Sequence, residues 1–370
     1  MVHVHTTFSD GKLTPSQVAA RAQGRYDVVL FADHSDLEWK YQFMVVSASV
    51  SMPSLKTHGI ERYYQEIAAA NKQFPGVILL PGVEVSPFYW WQGMPMLAGF
   101  TLRDWSRHLV VTGIDRPQDW GNLPLLAWGT SRFDPYAGDP GPGPYQDLID
   151  SVRKAGGLVF WAHAGAPVER RFQEARAFTP AHGEDLIRTR DYTGFAASGP
   201  SRALALPGAW WDKALLAYCQ GQREQPAWVV SENDYHAGNF PHQPATIVLA
   251  AERSRKAVLE AMRQGRMYAC NADPTTLALS EFALRARGGE HAIMGETLTG
   301  AEKVQVCIRV TGQVAAGGIR LVRDGKVLRT FSGNEVSYSD SVPMGAHYYR
   351  LQVIGQGGGE IFSNPIFARR

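Results

Sequence analysis

Cysteine is scarce in this chain of 370 residues: there are three, Cys219, Cys270 and Cys307, far apart and odd in number. None has CxxC spacing, so neither a disulfide framework nor a cysteine-based zinc site is expected. They read as buried free thiols of a reducing compartment. Charge is also scarce, at 19% of residues against an ordinary ~25%. Lys+Arg 37 nearly cancel Asp+Glu 35, and a net charge of +2 without a basic stripe excludes a nucleic-acid partner. No apolar run approaches the ~20 residues of a membrane span, so no membrane partner is expected. GxxxxGK[ST], GxGxxG and GxSxG are all missing, which removes the usual phosphate loops and the esterase nucleophile elbow. Gly 37 and Pro 22 show no period, which excludes collagen. The opening MVHVHTTFSDG has no signal-peptide regions and starts inside a strand pattern. A cytoplasmic location is the default expectation, with an upstream segment expected to be missing.

What is present is a globular composition, 45% hydrophobic and 11% aromatic, long enough for two or three domains. Thr14-Pro15 reads as an N-cap followed by proline at the first helical position. Helical spacing recurs over 60–73, 145–155 and 253–263. Between these lie short apolar runs of the buried parallel type: Asp27 to Ala32, Val77 to Leu80, Leu109 to Ile114, Leu158 to Trp161 and Trp228 to Ser231. Strands alternating with helices predict a parallel α/β sheet or barrel. Residues 116–144 read as a long loop, and 35–58 as an insertion able to act as a lid. After about residue 274 the texture changes to alternating runs, with a hairpin signal in LVRDGKVL. This predicts one domain over 1–273 and a small β-sandwich over 274–370.

Eleven histidines remain, and many punctuate the strand rhythm. His3-Val4-His5 ends the first strand, and pleat alternation would send both imidazoles to one face. Asp10 follows in an SDG turn. Asp33-His34 ends the second buried strand, Glu84 follows the next, His163 ends LVFWAH, and Asp234 and His236 form a D-x-H after WVVSEN. His108 is the misfit, because it precedes its apolar run. A lone histidine at a strand end is ordinarily structural. This ordered set reads as a metal site at the C-terminal edge of a sheet. Ser9 and Ser231 read as turn formers. Arg132, Arg170, Arg171 and Arg202 are candidates to clamp an anionic substrate, and Trp90, Trp91, Trp128, Trp161, Trp210 and Trp211 to line an apolar pocket.

The strings HVHTTFSDG, ADH, GVEVS, RHLVVTGI, WAHAG and NDYH, in that order, resemble the PHP (polymerase and histidinol phosphatase) superfamily of metallohydrolases over about residues 1–270. The C-terminal MYACNADP, MGETL, HYYRLQV and SNPIF are similar, more loosely, to its carbaryl-hydrolase branch. The resemblance implies a distorted (β/α)7 TIM-like barrel with a trinuclear site. By it, His3 and His5 hold the first metal with Glu84 and Asp234. Glu84 bridges to a second metal held by His108 and His163. Asp10, His34 and His236 hold the third, and His108 is placed by this resemblance alone. Tyr235 stands where the family often has a small residue, which would narrow the mouth.

Such a ligand set suits three divalent ions of Zn, Mn or Fe rather than Mg or Ca. A metal-bridging hydroxide, with Glu84 and Asp234 as the catalytic carboxylates, would hydrolyse a phosphate ester of a small-molecule substrate. An amide, carbamate or ester bond in an apolar substrate is the second reading, and a non-catalytic metal-dependent binding protein the third. The C-terminal segment carries no ligand and is expected to be dispensable for metal binding.

Overall fold

The computed structural model describes residues 1–95, 99–172 and 175–370. They form two compact units. The first comprises 1–192 and 234–240, the second 193–233 and 241–370. Contact density thus groups the chain differently from the seam at residue 273 that sequence texture indicates.

The first unit is mixed α/β. Val2–Val4, Val28–Phe31 and Ile78–Leu80 pair in parallel. The chain then bends at Ala32 and Pro81, and Asp33–His34 and Gly82–Val85 continue as a second parallel pair. Proline has no N–H to give a ladder, so the break at Pro81 follows from the residue itself. A Cβ on Gly82 would stand 2.4 Å from the Phe31 carbonyl oxygen, so only glycine allows this close approach. Beside Gly82–Val85 lies Leu109–Thr112, and beside that Leu158–Trp161. Both contacts are antiparallel, against the all-parallel expectation. Among the described residues no sheet closes into a barrel, and the unit is mixed α/β with several separate sheets.

Three helices of this unit, Pro15–Ala22, Ile60–Gln73 and Gly143–Lys154, fall where sequence signals place them. Pro15–Ala22 is capped by Thr14, whose Oγ1 accepts from Gln17 N at 3.3 Å while Gln17 Oε1 accepts from Thr14 N at 2.9 Å. Ile60–Gln73 buries Tyr63, Ile67 and Ala70, one face at helical spacing. Residues 38–51 of the expected insertion form the hairpin Glu38–Phe43 with Val46–Ser51, whose Trp39 and Tyr41 enter an aromatic core with Tyr89, Trp91 and Trp105. A separate four-stranded sheet runs Val168–Phe172, Ala175–Thr179, Thr101–Arg103, Trp90–Gln92.

The second unit is dominated by antiparallel strands. One sheet runs Ala245–Val248, Met267–Asn271, Glu360–Ser363, Ala346–Gly355, Val314–Arg323, Lys326–Phe331. Another runs His291–Ile293, Leu277–Ala286, Lys303–Gly312, Glu335–Ser341. Leu284, Val306 and Ile308 of one share an apolar cluster with Leu321, Leu351 and Ile361 of the other. Asp324 and Gly325, with φ of 52° and 79°, make the expected tight hairpin turn. The three cysteines are free. No helix among the described residues is long and apolar enough to cross a membrane.

Candidate metal centre

All nine residues expected at the site lie in the first unit, and short backbone devices aim them at one point. The first strand slips register between Val2 and Val4, and His3, between them, has φ +69°. The two imidazoles therefore converge through a bulge rather than through simple pleat alternation, their centres 5.0 Å apart. His5 N donates to Tyr235 O at 2.9 Å and Tyr235 N to His3 O at 3.1 Å, which lays the Asp234–His236 segment beside the first strand. Asp10 rides a turn in which Ser9 N and Gly11 N both donate to Thr6 O at 3.0 Å. A Cβ on Gly11 would sit 2.4 Å from the His5 carbonyl, so the turn closes only with glycine.

His34 and Glu84 are register partners on parallel strands. His108 is explained by strand direction. Leu109 pairs with Val85 on one side and Trp161 on the other, both antiparallel, so the start of its strand meets the ends of its neighbours. A ligand before its apolar run thus reaches the same edge as Glu84 and His163. His163 and Asp234 also take positive φ, 29° and 45°, a cost of order 1–3 kcal/mol each that persists only where the surroundings enforce it.

Glu84, 1% exposed, is the hub. Its Oε1 lies 2.8 Å from His108 Nδ1, 3.0 Å from His163 Nε2 and 3.3 Å from His3 Nε2. Its Oε2 lies 3.2 Å from His34 Nδ1 and 3.4 Å from His5 Nε2. Asp234 Oδ1 is 3.5 Å from His3 Nε2 and 3.4 Å from His5 Nε2. Asp10 is 3.3 Å from His5 Nδ1, 3.2 Å from His236 Nε2 and 3.8 Å from His34 Nε2. Three groups have ligand atoms within 4.8 Å of one another: His5, Asp10, His34 and His236; His3, His5 and Asp234; His34, Glu84 and His108. His5 and His34 each belong to two groups, a sharing the sequence did not foresee. Tyr235 does not rim the mouth: it is buried, its hydroxyl donating to Gly238 O and its ring packed on Phe240.

Buttressing residues were not legible in the sequence. Buried Asp33 accepts from Thr6 N and Ser9 Oγ, both at 2.7 Å, and from Thr6 Oγ1 at 2.9 Å. Ser9 is thus a turn former, with its Oγ 3.3 Å from His5 Nδ1. Arg107, next to His108, forks buried Asp185 at 2.7 and 2.6 Å and lies 4.4 Å over the Tyr145 ring. Of the expected clamps, Arg132 pairs with Asp147, Arg202 forks Glu360, and Arg170 lies over Trp105.

The cluster demands positive charge. Burial alone would raise the Glu84 carboxyl, yet His108, His3 and His34 hold it well below its usual range. Burial opposes protonation of His5, but Asp10, Asp234 and Glu84 outweigh it and raise the imidazole to about 9. Burial holds His34 down at about 3. His5 Nε2, fully buried, makes no hydrogen bond while facing two carboxylates at 3.4 Å. Imidazole nitrogens and carboxylate oxygens converging at these distances fit divalent cations. The residues fit a divalent-metal site.

No protein-family profile matches this chain, and no curated protein does. Among solved structures, one from Bifidobacterium adolescentis, provisionally named a metal-dependent phosphoesterase, aligns over 66% of this chain and 88% of its own, at 16% identity and TM-score 0.34. A likeness that low carries neither fold nor function across.

Proposed function

We propose that the chain is a metal-dependent phosphoesterase acting on a small-molecule phosphate ester. His3, His5, Asp10, His34, Glu84, His108, His163, Asp234 and His236 would hold up to three divalent ions of Zn, Mn or Fe. The observation that carries this reading is Glu84, a buried carboxylate with five imidazole nitrogens within 3.4 Å. Such ions would acidify a bound water towards neutral pH and polarise a substrate oxygen. Glu84 is the bridging carboxylate. Asp234, whose side chain is 42% exposed, is the most exposed of the three carboxylates and would orient the attacking water. His236 and His163, at 33% and 24%, complete the open side. Three divalent ions against three carboxylates leave the loaded centre positive, which favours an anionic ester over a neutral amide or carbamate. The second unit contributes no ligand. Its two sheets on a shared core are read as the small β-sandwich.

The test is metal content and turnover of the full chain reconstituted separately with Zn²⁺, Mn²⁺ and Fe²⁺. Phosphomonoesters, phosphodiesters and aryl carbamates would be supplied. Turnover of a phosphate ester is expected, and Glu84→Gln should lose it together with at least one equivalent of metal. Turnover of carbamates alone would favour the other hydrolase class. Bound metal without any turnover would favour a binding protein.

A further inference from the structure

Arg103 is a half-buried arginine that feels the charge of its chain neighbour Asp104 without pairing with it, since Asp104 accepts from Trp90 Nε1 at 3.0 Å and lies 3.6 Å from Arg107. Register places it in one row across the four-stranded sheet: Glu169 beside Phe178, Phe178 beside Arg103, Arg103 beside Trp90. Its guanidinium carbon lies 4.9 Å from the Phe178 ring centre and 5.6 Å from that of Trp90. Among the described residues it makes no hydrogen bond or ion pair, and its buried Nε is unmatched. Other arginines nearby behave differently: Arg176, also against Phe178, forks Glu169 at 2.8 and 2.9 Å. Two flanking rings restrict the guanidinium plane while leaving its donors unused, and such a fork matches the geometry of an oxyanion.

The sheet is made from connections that start or finish at the metal centre. Trp90–Gln92 begins six residues after Glu84, Thr101–Arg103 ends five before His108, and Val168–Phe172 begins five after His163. Five residues span at most ~18 Å, which bounds the separation of Arg103 from His108.

We propose that Arg103, set between Phe178 and Trp90, binds an oxyanion, phosphate or carboxylate, of a ligand whose body reaches towards the metal centre. On the phosphoesterase reading, on which this assignment to substrate rests, the oxyanion is a second anionic group remote from the bond cleaved. The two half-buried rings offer apolar flanks to the body that carries it.

The test is calorimetric titration of the full chain, stripped of metal by chelation, with phenyl phosphate and with benzoate. Wild type is expected to bind at least one probe, and the stronger identifies the oxyanion. Arg103→Gln should weaken that binding about tenfold or more, since a charge-assisted pair is lost. Arg103→Lys should recover only part, because it keeps the charge without the fork. Circular dichroism melts check that the variants fold. Should Arg103→Gln fail to fold, Arg103→Lys alone decides, a several-fold weakening being expected. Unchanged affinity in a folded variant, or no binding by wild type, overturns the proposal. The measurement needs neither metal nor turnover, so its failure is separable from failure of the phosphoesterase reading.

Discussion

Thr6, Ser9 and Asp33 hold the turn that delivers Asp10, and only Asp33 is charged. Asp33→Ala would orphan the Thr6 amide and two hydroxyls in a buried place. A cost of about 2–3 kcal/mol is expected in urea unfolding, with weaker metal binding measured on the same protein. Unchanged metal affinity would show that Asp10 is aimed by something else. The buried imidazoles make a pH prediction for the metal-free chain. Burial holds His34 at about 3 and His182 well below 6.5, so the unfolded state takes up protons that the native state refuses as pH falls below 6.5. That stability is present above 6.5 and lost towards 3. His5 runs the other way: raised to about 9, its contribution is full below 6.5 and lost as pH rises through 9. Melting temperature should therefore peak near pH 6.5. A steady rise from there towards pH 9 would contradict the charge pattern assigned to His5.

At the scale of elements, one strand running backwards converts a misfit into a ligand. Leu109–Thr112 is antiparallel to both neighbours, and the residue before it, His108, falls at the shared edge. Arg107 anchors that entry point through Asp185, with both side chains nearly inaccessible. Asp185→Ala would leave the buried guanidinium without its fork and facing only Asp104 at 3.6 Å, at a cost of about 3 kcal/mol in chemical denaturation. Arg107→Met with Asp185→Leu should restore part of that loss, because the forked charges go together while Asp104 keeps its bond from Trp90 Nε1. A double variant no better than the single would point to the fork's geometry, not its charge. The helix Ile60–Gln73 was readable because its 14 residues show a period, and the strand Leu158–Trp161 because its four residues form one unbroken apolar run. The sheet holding Arg103 was not, since Trp90–Gln92 and Thr101–Arg103 have three residues each and no period can show in three.

At the scale of the whole molecule, the grouping of strands bears on where the chain can be cut. Met267–Asn271 pairs with Glu360–Ser363, and Asn364 accepts from Val229 N and donates to Met267 O. Residues on both sides of 273 thus belong to one unit with one core. A chain ending at residue 272 keeps all nine metal-site residues but strips one of the two partners of Met267–Asn271 and most of the apolar cluster. It is expected to be poorly soluble or to melt well below the full chain in a thermal scan. A truncated chain as stable as the whole would show that the first unit stands alone.

Residue type and order by themselves determined which side chains gather at the centre. Histidines and carboxylates punctuating apolar runs have few other reasons to recur at strand ends, and the nine expected residues do converge around Glu84. The tandem Asp324-Gly325 likewise determined its hairpin, because its positive φ values suit few other residue pairs. Tertiary structure decided the rest. Strand direction placed His108, a bulge turned His3 towards His5, and Tyr235 went to the core instead of the mouth. Register set Arg103 between two rings with no ion pair of its own. Each of these depends on which segments lie side by side in space, and a local hydrophobic pattern, the same for a strand run in either direction, carries no record of that.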